Sequence, residues 1–386
     1  MAASAYLNEA EALLPELSKI RQELHSYPEI GNAEFKTAEL IEKELRALGL
    51  EPGRVLETAV IADINFSRPG KLVALRADMD ALPVSEQTGC EFSSRVPGRM
   101  HACGHDVHMT AVLGAAKILC SHRDELAGGV RLIFEPDEEG SGGARRLIEA
   151  GCLDGVSAVF GCHVSPDLPQ GAAGIKYGKF YAASAMFNVT VTGLSCHGAE
   201  REKGHDALLA ACEMITAVSA LNRSGVDDKC VLTVGKVSAG TASNIVAGAA
   251  EFSGIIRTLS PEQRQETAEK FRGIISSIAD KHSVSARCDV RMSYDGVINT
   301  PFETEIAEHA AKQALGEENV YIIQSPTMTT EDFGYYIQKT GAGCFYHIGA
   351  GSSYPLHNPS FLPSETAIAS AAALHCAVIT EYLKEN

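Results

Sequence analysis

Three short apolar runs constrain this chain more than any other feature: KLVALRA (71–77), GVRLIFE (129–135) and VSAVFGCHV (156–164). Each is too short for a buried helix and is bounded by polar residues, which is the pattern of a strand covered on both faces. Helical stretches, MTAVLGAAKILC and GGARRLIEAG, lie between them. Strands alternating with helices build a mostly parallel sheet flanked by helices, an α/β fold. In such sheets ligands bind outside the carboxyl ends of the strands. Those ends carry Asp78 and Asp80, then Glu135, Asp137, Glu138 and Glu139, then Cys162 and His163.

The flanks extend this reading. NEAEALLPELSKIRQELHSYPEI predicts an amphipathic helix with Leu13, Leu14, Leu17 and Ile20 on one side, closed near Pro28, and TAELIEKELRALGL predicts a second. In the middle the rhythm changes. AMFNVTVTG alternates like a half-buried strand, DALLAACEMITAVSALN reads as a helix, and CVLTVGKVSAG and GAAEFSGIIRTL read as strands. A helix over PEQRQETAEKFRGIISSIADKH and a strand over SVSARCDVRMSYD complete a β-α-β-β-α-β order, the ferredoxin-like arrangement. The expected organisation is a catalytic domain in two parts, 1–181 and 296–386, interrupted by a ferredoxin-like domain over 182–295.

A chain of 386 residues is long enough for two cores, and its 45% hydrophobic and 21% charged content is that of a globular protein. A net charge of −16 argues against a nucleic-acid partner, which requires a basic face. No basic head with an apolar run opens the sequence, and the stretch nearest to a membrane span, TAIASAAALHCAVITEYL, is interrupted by His375 and reads as an amphipathic C-terminal helix. Eleven cysteines without framework spacing fit a reducing cytoplasm.

The stretch RMHACGHDVHMT (99–110) crowds His101, Cys103, His105, Asp106 and His108 just ahead of a predicted helix. A Cys-x-His pair alone is weak support for a metal site. Taken singly, the acids at 137–139 fit a helix dipole, and His163 fits a satisfied core histidine. Their joint occurrence at equivalent strand ends favours a metal site.

The motifs ADMDALP, MHACGHDVHMT, EPDEEGSGGARRLIEAG, HGAE…KGHDALLAA, VGKVSAGTASNIVAGAAEFSGIIRTL, TTEDF and PLHNPSF, in this order from residue 77 to 361, give the chain its resemblance to a known family. It resembles the di-metal aminoacylase/carboxypeptidase metallohydrolases, in the branch of indole-3-acetyl-amino-acid, hippurate and other N-acyl-amino-acid hydrolases. The resemblance implies two divalent metal ions, zinc or manganese ahead of cobalt or nickel, held by Cys103, His105, Glu139, His163 and His357. It implies Glu138 as the general base, Asp78 as a carboxylate orienting a ligand, and His197 as the donor to the tetrahedral oxyanion. It implies that Asn244 and Arg257 hold the substrate carboxylate, although Arg257 on a strand also reads as a surface cation, and it puts Glu331 near the site without a task. His101 and His108 read as supporting residues. The interrupting domain would serve as a lid and dimerise, with His197 often reaching across the interface in relatives.

Where relatives usually read HGAxPHxGxDP this chain has HGAEREKGHDAL, so their fine specificity does not transfer. The expected function is hydrolysis of an N-acyl-amino acid to a carboxylic acid and a free amino acid by a cytoplasmic homodimer acting on small molecules, with no nucleic-acid or membrane partner. The alternative is a dipeptidase or carboxypeptidase-like enzyme on the same metals. Two further readings stay open: a cysteine hydrolase with Cys103 as nucleophile and His105 as base, and a protein that binds acyl-amino acids without turnover.

Overall fold

The structure is a computed structural model in which residues 4–385 are described. The chain forms two compact units, one of Met1–Gly178, Ile298–Gln324 and Asp332–Asn386, the other of Lys179–Val297 with Ser325–Glu331. The contiguous division expected from sequence has no place for 325–331. That segment is clipped to the start of the second unit by backbone bonds from Thr327 N to Phe180 O and from Ala182 N to Thr329 O, both 2.9 Å.

The first unit is built on an eight-stranded sheet in the order Gly53–Val55, Ala59–Asn65, Ala127–Glu135, Arg68–Asp78, Val156–Ser165, Gly343–Gly349, Ala173–Ile175, Val320–Ile322. The four strands from Ala127–Glu135 to Gly343–Gly349 run parallel, as the apolar runs require, and antiparallel pairs occur towards both edges. Register aligns the carboxyl ends. Asp78 pairs with Glu135, and Arg76 pairs with Gly161, two residues before Asp78 and His163 respectively.

The helices Ser4–Ser26, His105–Ser121, Pro301–Leu315 and Thr366–Glu385 pack together beside this sheet. The last of these departs from expectation. Every residue from Ala367 to Thr380 is buried, so it is a core helix rather than an amphipathic one. Three other helices and the sheet surround it, and its many alanines permit the close approach. It is long and apolar enough to cross a membrane by composition, yet 83% of its apolar window lies inside the unit. His375 is accommodated there by Tyr346 Oη at 2.6 Å and Cys162 Sγ at 3.5 Å.

The second unit has the predicted β-α-β-β-α-β order. Its antiparallel sheet runs Ser285–Met292, Ala183–Thr192, Ala249–Thr258, Lys229–Ala239, with a two-residue strand, Arg223–Ser224, at the far edge. This is the ferredoxin-like strand order. Alternation decides its faces: Phe187, Val189 and Val191 point into a core with Phe252, Ile256, Phe271 and Ile275, while Met186, Thr190 and Thr192 are exposed. Its helices begin where side chains can cap them, at Asp206 (accepting from Leu209 N, 3.0 Å) and at Ser260 followed by Pro261.

Candidate metal centre

The centre is assembled at the carboxyl ends of the parallel strands of the first unit. Cys103 and His105 flank Gly104, the N-cap of the helix His105–Ser121, which has φ of 92°. A side chain there would be strained by that angle and would collide with Val164 Cγ2. Glycine therefore lets the two donors on either side turn to one point. Glu138 and Glu139 come from the turn after Ala127–Glu135, His163 from Val156–Ser165, and His357 from a loop in which it adopts φ of 65°. A left-handed histidine costs free energy that its surroundings must supply, a common condition at functional sites. His357 N donates to Ala102 O at 2.8 Å, pinning that loop beside Cys103.

The donor atoms converge. Cys103 with His105 and His163, Cys103 with Glu139 and His357, and His105 with Glu138 and Glu139 each form a group whose ligand atoms lie within 4.8 Å of one another. Cys103 Sγ is 3.3 Å from His163 Nε2, and His357 Nε2 is 2.9 Å from Glu139 Oε1. All five expected ligands and Glu138 thus meet in one place.

Their surroundings suit cations. His163 Nδ1 donates to Val164 O at 2.7 Å, which leaves Nε2 as a lone-pair donor, and burial among other histidines keeps the ring neutral. His105 Nδ1 faces Asp80 Oδ1 at 3.4 Å, while Nε2 has no hydrogen-bond partner among the described residues although the side chain is buried. Buried polar atoms in this state call for a further partner. Burial opposes a charge on His105, but Asp78, Asp80 and Glu139 outweigh it and pull the imidazole up to about 10, a measure of the negative charge gathered here. Burial together with Glu139 and Glu138 pushes the Cys103 thiol well above its ordinary range, so a thiolate at this position needs a cation beside it. The same burial and raised thiol disfavour Cys103 as a free nucleophile.

Around the donors runs a layer of support that sequence reasoning found only in part. Asp78 does not reach a ligand as its closest contact. It accepts from His108 Nδ1 at 2.7 Å, with His105 Nδ1 farther off at 3.8 Å. His108 Nε2 in turn accepts from Val164 N at 2.9 Å, so Asp78 acts through His108 on the backbone next to His163. Burial would raise Asp78, but His105, His108 and Arg76 hold its carboxyl well below the usual range. His101 is buried with neither ring nitrogen bonded among the described residues, and burial keeps it neutral, down at about 3.

Asp80 was given no task from sequence, yet its two oxygens accept from Glu138 N (3.1 Å) and Glu139 N (3.0 Å), fixing the turn that carries both acids. The signal was present in ADMD, where alternate residues of an extended segment point the same way. Arg76, read as part of an apolar run, is a buried cation bonded to Glu135 (2.6 Å), Asp78 (2.8 Å) and Asp332 (3.0 Å). Arg21 (2.7 Å) and His25 (2.9 Å) hold Asp106 in the first turn of the site helix.

The remaining expected residues belong to the second unit. His197 is on an exposed loop, bridged to Ile245, and its Nδ1 accepts from Ala199 N at 3.2 Å. Gly198 N donates to Asn244 O at 2.8 Å, so His197 and Asn244 lie on paired segments. Arg257, on Ala249–Thr258, is partly buried opposite Ser184, and Glu331 is buried.

The chain is similar to known proteins over most of its length. The sequence profile of peptidase family M20/M25/M40 matches residues 74–381. Thermostable carboxypeptidase 1 of Saccharolobus solfataricus is 35% identical, over 94% of each chain. The N-acetyl-L-cysteine deacetylase of Bacillus subtilis is 36% identical, over 92% of this chain and 86% of its own. The crystal structure of a dinuclear metal-binding peptidase of the M20 family from Bacillus subtilis superposes with a TM-score of 0.86 at 33% identity, covering 97% of this chain and 99% of that one.

Proposed function

Because the chain belongs to peptidase family M20/M25/M40, we propose that it is a dinuclear metal-dependent amidohydrolase cleaving N-acyl-amino acids to a carboxylic acid and a free amino acid. The observation that carries this reading is the convergence of Cys103, His105, Glu138, Glu139, His163 and His357 on one point at the strand ends. Cys103, His105, Glu139, His163 and His357 would hold two divalent cations, zinc or manganese ahead of cobalt or nickel, which when bound acidify water and polarise the scissile carbonyl.

Glu138 accepts the proton of the attacking water and returns it to the leaving amine. Asp80 keeps that carboxylate in place by holding its backbone N–H. The Asp78–His108–Val164 chain fixes the strand end at His163. His197 donates a hydrogen bond to the tetrahedral oxyanion, and Asn244 and Arg257 take the carboxylate of the amino-acid half, Arg257 through its paired donors. The protein acts in the cytoplasm as a homodimer through the second unit, whose sheet ends in the edge strand Ser285–Met292.

The test is a screen of metal-reconstituted enzyme against acetyl-, benzoyl-, indole-acetyl- and long-chain acyl-amino acids beside dipeptides. Turnover of acyl-amino acids is expected. A second reading, a carboxypeptidase or dipeptidase, is favoured by the carboxypeptidase among the relatives and predicts turnover of the peptides alone.

A further inference from the structure

The turn that carries Glu138 and Glu139 rests on a part of the chain far away in sequence. Asp137, immediately before them, has φ of 62°, a left-handed conformation that a non-glycine residue keeps only when its surroundings enforce it. Part of the enforcement is local, since Ser141 N and Oγ donate to Asp137 Oδ2 and Gly142 N donates to Asp137 O at 3.0 Å, and the rest comes from residues 31–34. Glu34 is fully buried and its Oε1 accepts from Asp137 N at 3.0 Å. The Asp137 side chain lies so close to Gly31 that a Cβ there would collide with its Oδ1 and lie 3.0 Å from its Cα. Arg146 bridges the two segments, bonding Asn32 Oδ1 at 2.7 Å and Asp137 Oδ2 at 3.3 Å. Asn32 is itself left-handed, with φ of 62°. The segment is tied down in turn, since Ile30 bridges to Ala81 and Ala81 N donates to Glu29 O at 2.8 Å, next to Asp80.

We propose that Glu34 is a positioning residue for the general base: its carboxyl oxygen, with Gly31 and Arg146, seats the strained Asp137 and so aims Glu138. This rests on the functional reading above for its effect on turnover, and on the structure alone for the seat. One fixed acceptor on one backbone N–H suffices for the task, because a misplacement of about 1 Å at a reacting group costs on the order of a hundredfold in rate. Burial raises the Glu34 carboxyl to about 7, so near neutral pH an amide is a close mimic of its protonated form.

The experiment compares wild type, Glu34→Gln, Glu34→Leu and Arg146→Gln, all loaded with metal. It measures metal content, kcat, KM, and amide hydrogen exchange in the peptide spanning 135–142. Glu34→Leu keeps the shape but loses the acceptor. Exchange in that peptide should rise roughly tenfold or more, and kcat should fall roughly 10- to 100-fold with KM and metal content little changed. Glu34→Gln, which keeps a carbonyl acceptor, should restore both. Arg146→Gln should show the same pattern more weakly, and because this side chain is 37% exposed it tests the seat even if Glu34→Leu does not fold.

Unchanged exchange at 135–142 in the folded variants overturns the seat. Raised exchange with unchanged kcat overturns the link to the base, as does a Gln variant as damaged as the Leu variant. If wild type hydrolyses no acyl-amino acid, the functional reading fails, and the exchange data still decide whether Glu34 seats the turn.

Discussion

Replacing Arg76 with methionine should destabilise the first unit by about 4 kcal/mol, since breaking a buried ion pair by removing one partner costs about 3–5 kcal/mol. The structure explains why the cost falls in this range. Arg76, Asp78, Glu135 and Asp332 side chains are all 0% exposed, and the guanidinium bonds each carboxylate at 3.0 Å or less. Methionine fills much the same volume, so the loss is of charge pairing rather than of packing. The three carboxylates keep other donors, His108 for Asp78, Tyr336 Oη for Glu135 (2.9 Å) and Ala144 N for Asp332 (3.1 Å), which keeps the loss from exceeding that range.

Urea denaturation of metal-loaded protein, followed by circular dichroism at fixed pH and metal concentration, gives the number. Arg76→Lys, with the charge but not the fork of donors, should fall between wild type and Arg76→Met. A loss below about 1 kcal/mol for Arg76→Met would refute the reasoning, because it would mean that the buried acids need no cation to balance them.

Glu138→Gln should keep metal while kcat drops by roughly 10² to 10⁴, whereas Glu139→Gln should lose metal affinity, and elemental analysis beside kinetics separates base from ligand. Chelation should abolish activity, with manganese, zinc, cobalt or nickel restoring it and raising the thermal midpoint; full activity in verified metal-free protein would contradict the ligand set. His197→Ala should lower kcat by roughly 10² to 10³ with KM and metal content nearly unchanged, and a loss confined to KM would make it a substrate-binding group instead.

His375 gives a pH test. Burial holds it down at about 3, so below its ordinary value of 6.5 the unfolded chain takes a proton that the folded one refuses. Its contribution to stability is full above 6.5 and is lost as pH falls towards 3, at up to about 1.4 kcal/mol per pH unit. His375→Gln should flatten that part of the stability curve in urea titrations between pH 6.5 and 4.5.

Much of this protein is determined locally. Runs such as KLVALRA and VSAVFGCHV read as buried strands from their length and polar bounds, and a parallel sheet gathers their carboxyl ends with the acids, histidine and cysteine they carry. The alternation in AMFNVTVTG chooses the core face of the second unit with no help from elsewhere. Motif resemblance then supplied Cys103, His105, Glu138, Glu139, His163 and His357, which the fold gathers.

Tertiary structure decided what depends on partners distant in sequence. Arg76 sits inside an apolar strand, and nothing local reveals that Asp332, 256 residues away, completes its pairing. Asp80 lies only two residues past Asp78, yet it holds the Glu138–Glu139 backbone while Asp78 holds His108. The C-terminal helix looked amphipathic because His375 interrupts its apolar residues, and only Tyr346 and Cys162 explain how a histidine is buried there. The physical reason is common to all three: hydropathy patterns specify which face of an element is covered, whereas a buried polar group is specified by the one donor or acceptor that meets it, and that partner is chosen by the packing of the whole unit.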